Sequence, residues 1–254
     1  MFDPAITRIS FWDFMPWNKV ASNPKEVDYW LDKCELKSLD GVIVNHAHTD
    51  HVIDAPYVAK KFNTKLYGST SVQNVGLGQG LTPEQVINID ESSIIQIGDF
   101  KITVFSTPHM PHFLDVLLMD GKIESPLTSP TSAWNYRVGE MYSFLIEHPE
   151  KKIFFQSIGH IYEVDPAKNV KADVLLLTIA NRISSLNLID GRVLPTKAKT
   201  VIPLHHDNFF FQMKRDGDID YFWGVKKTEF QESLFSKDKK IQLKWPNYCE
   251  TISL

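Results

Sequence analysis

Two cysteines in 254 residues exclude a disulfide framework and a Cys-x-x-Cys metal knuckle. Cys34 and Cys249 lie far apart in sequence, which fits a reducing cytoplasm. No apolar run approaches the ~20 residues of a membrane-spanning helix. Basic residues are not in excess: the net charge is −4, so no basic field exists for nucleic acid. Gly76, Gly78 and Gly80 punctuate a loop; they lack the Gly-Lys-Ser/Thr ending of a phosphate-binding loop, and mark a turn or a close backbone approach instead. No Gly-x-Ser-x-Gly elbow of a serine hydrolase occurs. Met1-Phe2-Asp3-Pro4 is not a secretory signal, because no basic segment leads into an apolar one. With 43% hydrophobic and 23% charged residues, the composition is that of a soluble globular protein. The length suits one layered α/β domain over residues 1–254.

What the chain does have is histidine in one place. Asn45-His46-Ala47-His48-Thr49-Asp50-His51 follows the apolar run Gly41-Val42-Ile43-Val44. Imidazole and carboxylate are the side chains that bind zinc and related divalent ions. Along an extended segment, residues i and i+2 point to one side, so His46 and His48 can close on one ion as the strand ends. A helix begins at about His51, where Val52, Ile53, Ala55, Val58 and Ala59 alternate with polar residues. Asp50 and His51 at its start face a second ion. Taken alone, Asp50 reads equally well as a helix N-cap.

The run resembles the HxHxDH signature of the metallo-β-lactamase-fold hydrolases. That resemblance implies a four-layer αββα sandwich, of mixed α/β (α+β) class. It also implies later ligands at strand ends. The strand Lys101–Thr107 runs into Pro108-His109-Met110-Pro111-His112. Here His109 matches the third ligand of the first metal, and His112 is a candidate for substrate contact. Thr200-Val201-Ile202-Pro203-Leu204-His205-His206-Asp207 is a strand running into two histidines. His205 matches the last ligand of the second metal. His206 points the other way by strand alternation and reads as structural, and Asp207 can orient a ligand.

The fourth position departs from the superfamily. Lys152–His160 stands where the family carries a Gly-Asp-x-Gly turn, and Ser157 takes the place of the bridging Asp. A site without that carboxylate is one charge more positive. It holds its second metal less readily and favours an anionic substrate. Three outcomes stay open: two metals without a protein bridge, one metal only, or His160 or Asp207 substituting. Tyr67–Ser71 with Asn74–Leu81, Tyr142–His148 and Ile202–Phe209 are similar to one bacterial subgroup of unassigned substrate. In that subgroup Ser commonly replaces the bridging Asp, in a Gly-Ser-Ala turn. Here Gln156 and Ile158 flank Ser157, so the match at the turn is partial. Ascorbate-phosphate lactonases and N-acylphosphatidylethanolamine phospholipases are more distant relatives by this resemblance.

In the family an Asp-Pro dipeptide follows two opening strands, and those strands are missing before Asp3-Pro4. Because a bare sheet edge is avoided, a partner chain or another segment is expected to cover it, with a homo-oligomer as one solution. Further expectations concern the connections. Phe11, Trp12, Phe14, Met15, Pro16 and Trp17 pack on the core or line an interface. Lys25–Leu36 is an amphipathic helix. Lys65–Tyr67, Ile94–Ile97, Met141–His148, Lys152–Gln156 and Ala172–Ala180 are strands, and His148 begins an exposed hairpin turn. Lys122–Glu140 is Pro/Ser-rich and long enough to be a lid over the metals, and Arg137 is its candidate for an anion contact.

The implied activity is metal-dependent hydrolysis, with a metal-bound hydroxide attacking an ester, lactone, phosphodiester or amide of a small, anionic molecule. His46, His48 and His109 hold the first metal; Asp50, His51 and His205 hold the second, with Asp50 also accepting the proton of the water. Zinc is the default, with manganese, nickel or iron as alternatives. The competing classes are a weak or inactive binding or assembly protein of the same fold, and a redox di-iron protein. The latter usually has carboxylates where this chain has His109 and Ser157.

Overall fold

The computed structural model describes residues 1–112, 116–157, 169–180 and 184–254. Two compact units organise the described chain. The first comprises Met1–Asp90, Leu118–Met141 and Phe209–Gly217; the second comprises Glu91–Leu117, Tyr142–Asn208 and Asp218–Leu254.

In the first unit, β1 (Val42–Ile43), β2 (Leu66–Gly68) and β3 (Val86–Asn88) form a parallel sheet in that order. Four helices belong to it: α1 (Pro24–Lys33), α2 (Thr49–Val52), α3 (Ala55–Lys61) and α4 (Thr70–Gly78). Asn23 caps α1 and Pro24 opens it, so the helix starts one residue before the sequence expectation and ends three earlier. The expected helix from His51 is two: α2, which starts at Thr49, and α3, opened by Asp54 and Pro56. The core gathers Val27, Leu31, Val44, Val52, Val58 and Val75.

Residues 1–3 run beside β1. Ile43 N–H donates to the Met1 carbonyl at 2.9 Å, and Asp3 N–H donates to the Ile43 carbonyl at 3.0 Å. Phe2 thereby makes a parallel bridge to Ile43. The edge is met by the chain's own first residues, one of the two solutions expected.

Two expectations are corrected here. The glycine-rich stretch is helical: Gly76 and Gly78 lie inside α4, and only Gly80, with φ +90°, is in a turn. Close approach explains both helical glycines. A Cβ on Gly76 would come within 2.8 Å of Val86 Cγ1, and one on Gly78 within 2.3 Å of the Leu127 backbone. Nor is 122–140 a loose cover. Ile123, Ala133, Tyr136 and Val138 are buried, and Asn74 Nδ2 donates to the Ile123 carbonyl at 2.7 Å.

In the second unit, seven strands follow the order β10-β9-β8-β7-β6-β5-β4. They are β4 (Ile94–Ile97), β5 (Phe100–Ser106), β6 (Tyr142–Glu147), β7 (Lys152–Gln156), β8 (Val174–Thr178), β9 (Thr200–Leu204) and β10 (Gln242–Leu243). From β4 to β7 the pairing is antiparallel; from β7 to β10 it is parallel. Two-sided burial fits the apolar runs of β7 and β8. Helix α5 (Lys227–Lys237) buries Phe230 and Leu234.

Among the described residues neither cysteine is free. Among the described residues no helix is long and apolar enough to cross a membrane.

Candidate metal centre

The histidine run leaves β1 at its C-terminal end. Its backbone is fixed by long-range bonds: Val44 N–H to the Tyr67 carbonyl at 2.9 Å, and Ala47 N–H to the Val138 carbonyl at 3.0 Å. Asn45 N–H donates to Asp3 Oδ1 at 2.8 Å. His48 is still extended, with φ −67° and ψ 153°, and α2 starts at the next residue. The pair His46 and His48 therefore shares one side, as strand alternation requires. His46 Nε2 and His48 Nδ1 are 3.0 Å apart, and both rings are buried. Two nitrogens on one tetrahedral zinc, each at ~2.05 Å, lie about 3.3 Å apart. The donors thus fit a shared ion. His46 Nδ1 faces Asn45 Oδ1, which makes Nε2 the nitrogen that carries the lone pair.

Asp50 and His51 sit in the first turn of α2. The His51 ring lies 4.0 Å from that of His46, centroid to centroid. His51 Nδ1 bonds Asp3 Oδ2 at 3.0 Å, and its Nε2 lies 3.6 Å from Asp50 Oδ2. Burial pushes the imidazole's pKa down, yet the Asp50 and Asp3 carboxylates outweigh it, and the net direction is up. Asp3 is a residue that motif reading missed. It has φ 42°, and a carboxylate behind a candidate ligand histidine fixes the ring and its tautomer. Its contact is 48 residues away in sequence, and the only hint was the Asp-Pro dipeptide at the family's expected place.

The second unit supplies the other candidates. His109 follows β5, and its Nδ1 faces the Met110 carbonyl at 2.6 Å, which leaves Nε2 as acceptor. The His112 ring lies 4.9 Å from that of His109, and His112 N–H donates to the Val116 carbonyl at 3.0 Å. His205 follows β9 with φ 54°, a left-handed backbone that breaks strand alternation. His206 is buried, with Nδ1 at 3.0 Å from the Pro203 carbonyl and its ring stacked on Tyr221. Burial holds its pKa below the usual imidazole value. Tyr248 Oη donates to Asp207 Oδ2 at 3.3 Å.

Ser157 Oγ donates to the Tyr142 carbonyl at 2.9 Å, and Ser157 N–H donates to Ser143 Oγ at 3.1 Å. Ser143 Oγ also meets Thr107 Oγ1 at 2.8 Å. The ends of β5, β6 and β7 are thereby tied by three hydroxyls. His160 lies outside the described residues. Arg137 is exposed, and its Nη1 donates to the Asp120 carbonyl at 3.2 Å.

The family model of the metallo-beta-lactamase superfamily matches residues 17–132. A "UPF0173 metal-dependent hydrolase" of Polynucleobacter asymbioticus is 27% identical over 199 residues, which is 76% of this chain and 66% of that protein. A "Probable L-ascorbate-6-phosphate lactonase" of Shigella dysenteriae is 21% identical over 230 residues, 84% of this chain and 62% of that protein. The chain spans less than two thirds of the length of both relatives. In fold, it is similar to "a possible metal-dependent hydrolase" from Veillonella parvula, with a TM-score of 0.59 and 13% identity, over 100% of this chain and 91% of the other. In its fold, and in the segment that carries its histidine motif, the chain is similar to proteins of the metallo-β-lactamase superfamily.

Proposed function

We propose that the protein is a metal-dependent hydrolase of a small anionic ester, lactone, phosphodiester or amide. The observation that carries this reading is the donor set. The resemblance groups His46, His48 and His109 as one set of candidate ligands and Asp50, His51 and His205 as another; within the first unit His46 Nε2 and His48 Nδ1 are 3.0 Å apart, and His51 Nε2 lies 3.6 Å from Asp50 Oδ2. Five imidazoles and one carboxylate suit zinc first, with manganese, nickel or iron as alternatives.

A divalent ion held there supplies Lewis acidity and lowers the pKa of a water. The chain's own residues do the rest. Asp3 and Asn45 orient His51 and His46 through the Nδ1 atom of each ring. An Asp50 carboxylate oxygen orients the attacking water and accepts its proton. Two supports favour an anionic substrate. Ser157 brings no charge to the bridging position, so the centre stays more positive than one with a carboxylate there. One relative is named for a phosphorylated lactone.

Metal content after purification without chelator tests the reading, followed by a panel of lactone, phosphodiester and amide substrates. Zinc-dependent turnover that a chelator abolishes is expected. A chain that stays metal-free after zinc addition is a binding or assembly protein instead.

A further inference from the structure

The first unit carries an aromatic patch that its core does not use. Phe11, Trp12 and Trp17 are 61%, 70% and 76% exposed, and Phe211 is 60% exposed. The patch is built, not frayed. Ser10 and Asp13 make a capping box around the 3-10 turn Phe11–Phe14, and Asn18 Nδ2 donates to the Trp12 carbonyl at 2.8 Å. Phe11 and Phe14 meet Phe210 edge-on at 6.3 and 6.1 Å. Trp134 Nε1 donates to the Phe14 carbonyl at 2.6 Å. Three separate segments therefore hold one apolar surface in place, which a monomer in water would not favour.

Charge says what covers it. Residues 8–25, 131–137 and 209–217 contain six basic residues (Arg8, Lys19, Lys25, Arg137, Lys214 and Arg215) and two acidic ones (Asp13 and Asp216). Arg215 pairs with Glu26 at 2.8 Å, and the balance stays positive. The whole chain has net charge −4, so these segments are basic on an acidic protein. A second copy would bring like charges together in a two-fold contact. An anionic bilayer offers acyl chains for the rings and phosphates for the lysines at matching depth, and indole favours that boundary. We propose that this patch seats the protein peripherally on an anionic phospholipid surface.

Vesicles of phosphatidylcholine, with and without phosphatidylglycerol, test it by co-sedimentation and tryptophan emission. The full chain should bind the anionic vesicles with a blue shift, and less at high salt. Trp12→Ser with Trp17→Ser, or Lys19→Glu with Lys25→Glu, should each weaken binding roughly tenfold or more, by lost apolar burial or lost attraction. The thermal midpoint controls for folding, and the lysine pair decides alone if the tryptophan pair misfolds. Absent binding, equal binding to both vesicles, or binding unchanged by the variants overturns the proposal. So does a dimer that the tryptophan pair converts to monomer, which would make a second copy the occupant.

Discussion

Asp3 stands behind His51. The carboxylate takes Nδ1 at 3.0 Å and its other oxygen takes the Asn45 N–H, so one side chain fixes both the ring and the start of the histidine run. Asp3→Asn keeps the shape and removes the charge. Affinity of the Asp50–His51–His205 ligand set for zinc should fall about 10- to 100-fold, the usual cost of losing a carboxylate behind a ligand histidine. Competition with a chromophoric chelator measures this, and an affinity within twofold of wild type would refute the role.

In the proposed centre Ser157 takes the bridging position with an uncharged group. Ser157→Asp should raise zinc retention at the second ligand set. It should also lower metal-free stability by about 1 kcal/mol, because the Oγ bond to the Tyr142 carbonyl is lost. Metal content after dialysis and denaturant unfolding read the two effects. Unchanged retention would mean that residue 157 does not face the ions.

Asp54 is a structural knot three residues past the motif. It accepts from Thr7 N–H at 2.6 Å, Thr7 Oγ1 at 2.7 Å and Ser22 Oγ at 2.5 Å, fully buried. Asp54→Ala orphans three donors and should cost about 3 kcal/mol. Burial raises its pKa, against the donors from Ser22 and Thr7 that lower it. An acid whose folded pKa exceeds its unfolded one, about 3.9, stabilises fully below the unfolded value. That contribution is lost as pH rises through the folded pKa. Asp54→Asn should remove this component of the pH–stability curve, and a curve of unchanged shape would sink the assignment.

Gly78→Ala should destabilise, although alanine in a helix is usually worth about 1 kcal/mol over glycine. The new Cβ would overlap the Leu127 backbone at 2.3 Å, and backbone cannot swing aside. A loss of about 2 kcal/mol is expected from such overpacking. A raised thermal midpoint would show that α4 and residue 127 can separate.

These positions mark where sequence reading succeeds and where it stops. Periodic, one-element features were readable: β7 (Lys152–Gln156) has its expected bounds, and the His46–His48 pair follows from alternation alone. β3 (Val86–Asn88) is too short to show a period. α4 was hidden because Gly76 and Gly78 read as loop, while their reason lies in Val86 and Leu127. The burial of Ile123 and Tyr136 depends on the distant α4, so a Pro/Ser-rich composition misled. Asp3 needed a partner 48 residues on, and no local pattern encodes that.

Asp3 and His205 share one more property, a left-handed backbone with φ of 42° and 54°. Glycine would sit there at no steric cost, whereas a side chain costs roughly 1 kcal/mol. Stability alone would fill both places with glycine or asparagine. Sister sequences therefore carry a natural assay. A lineage that has abandoned the metals is free to relax residues 3 and 205, and one that uses them must keep the carboxylate and the imidazole despite the strain.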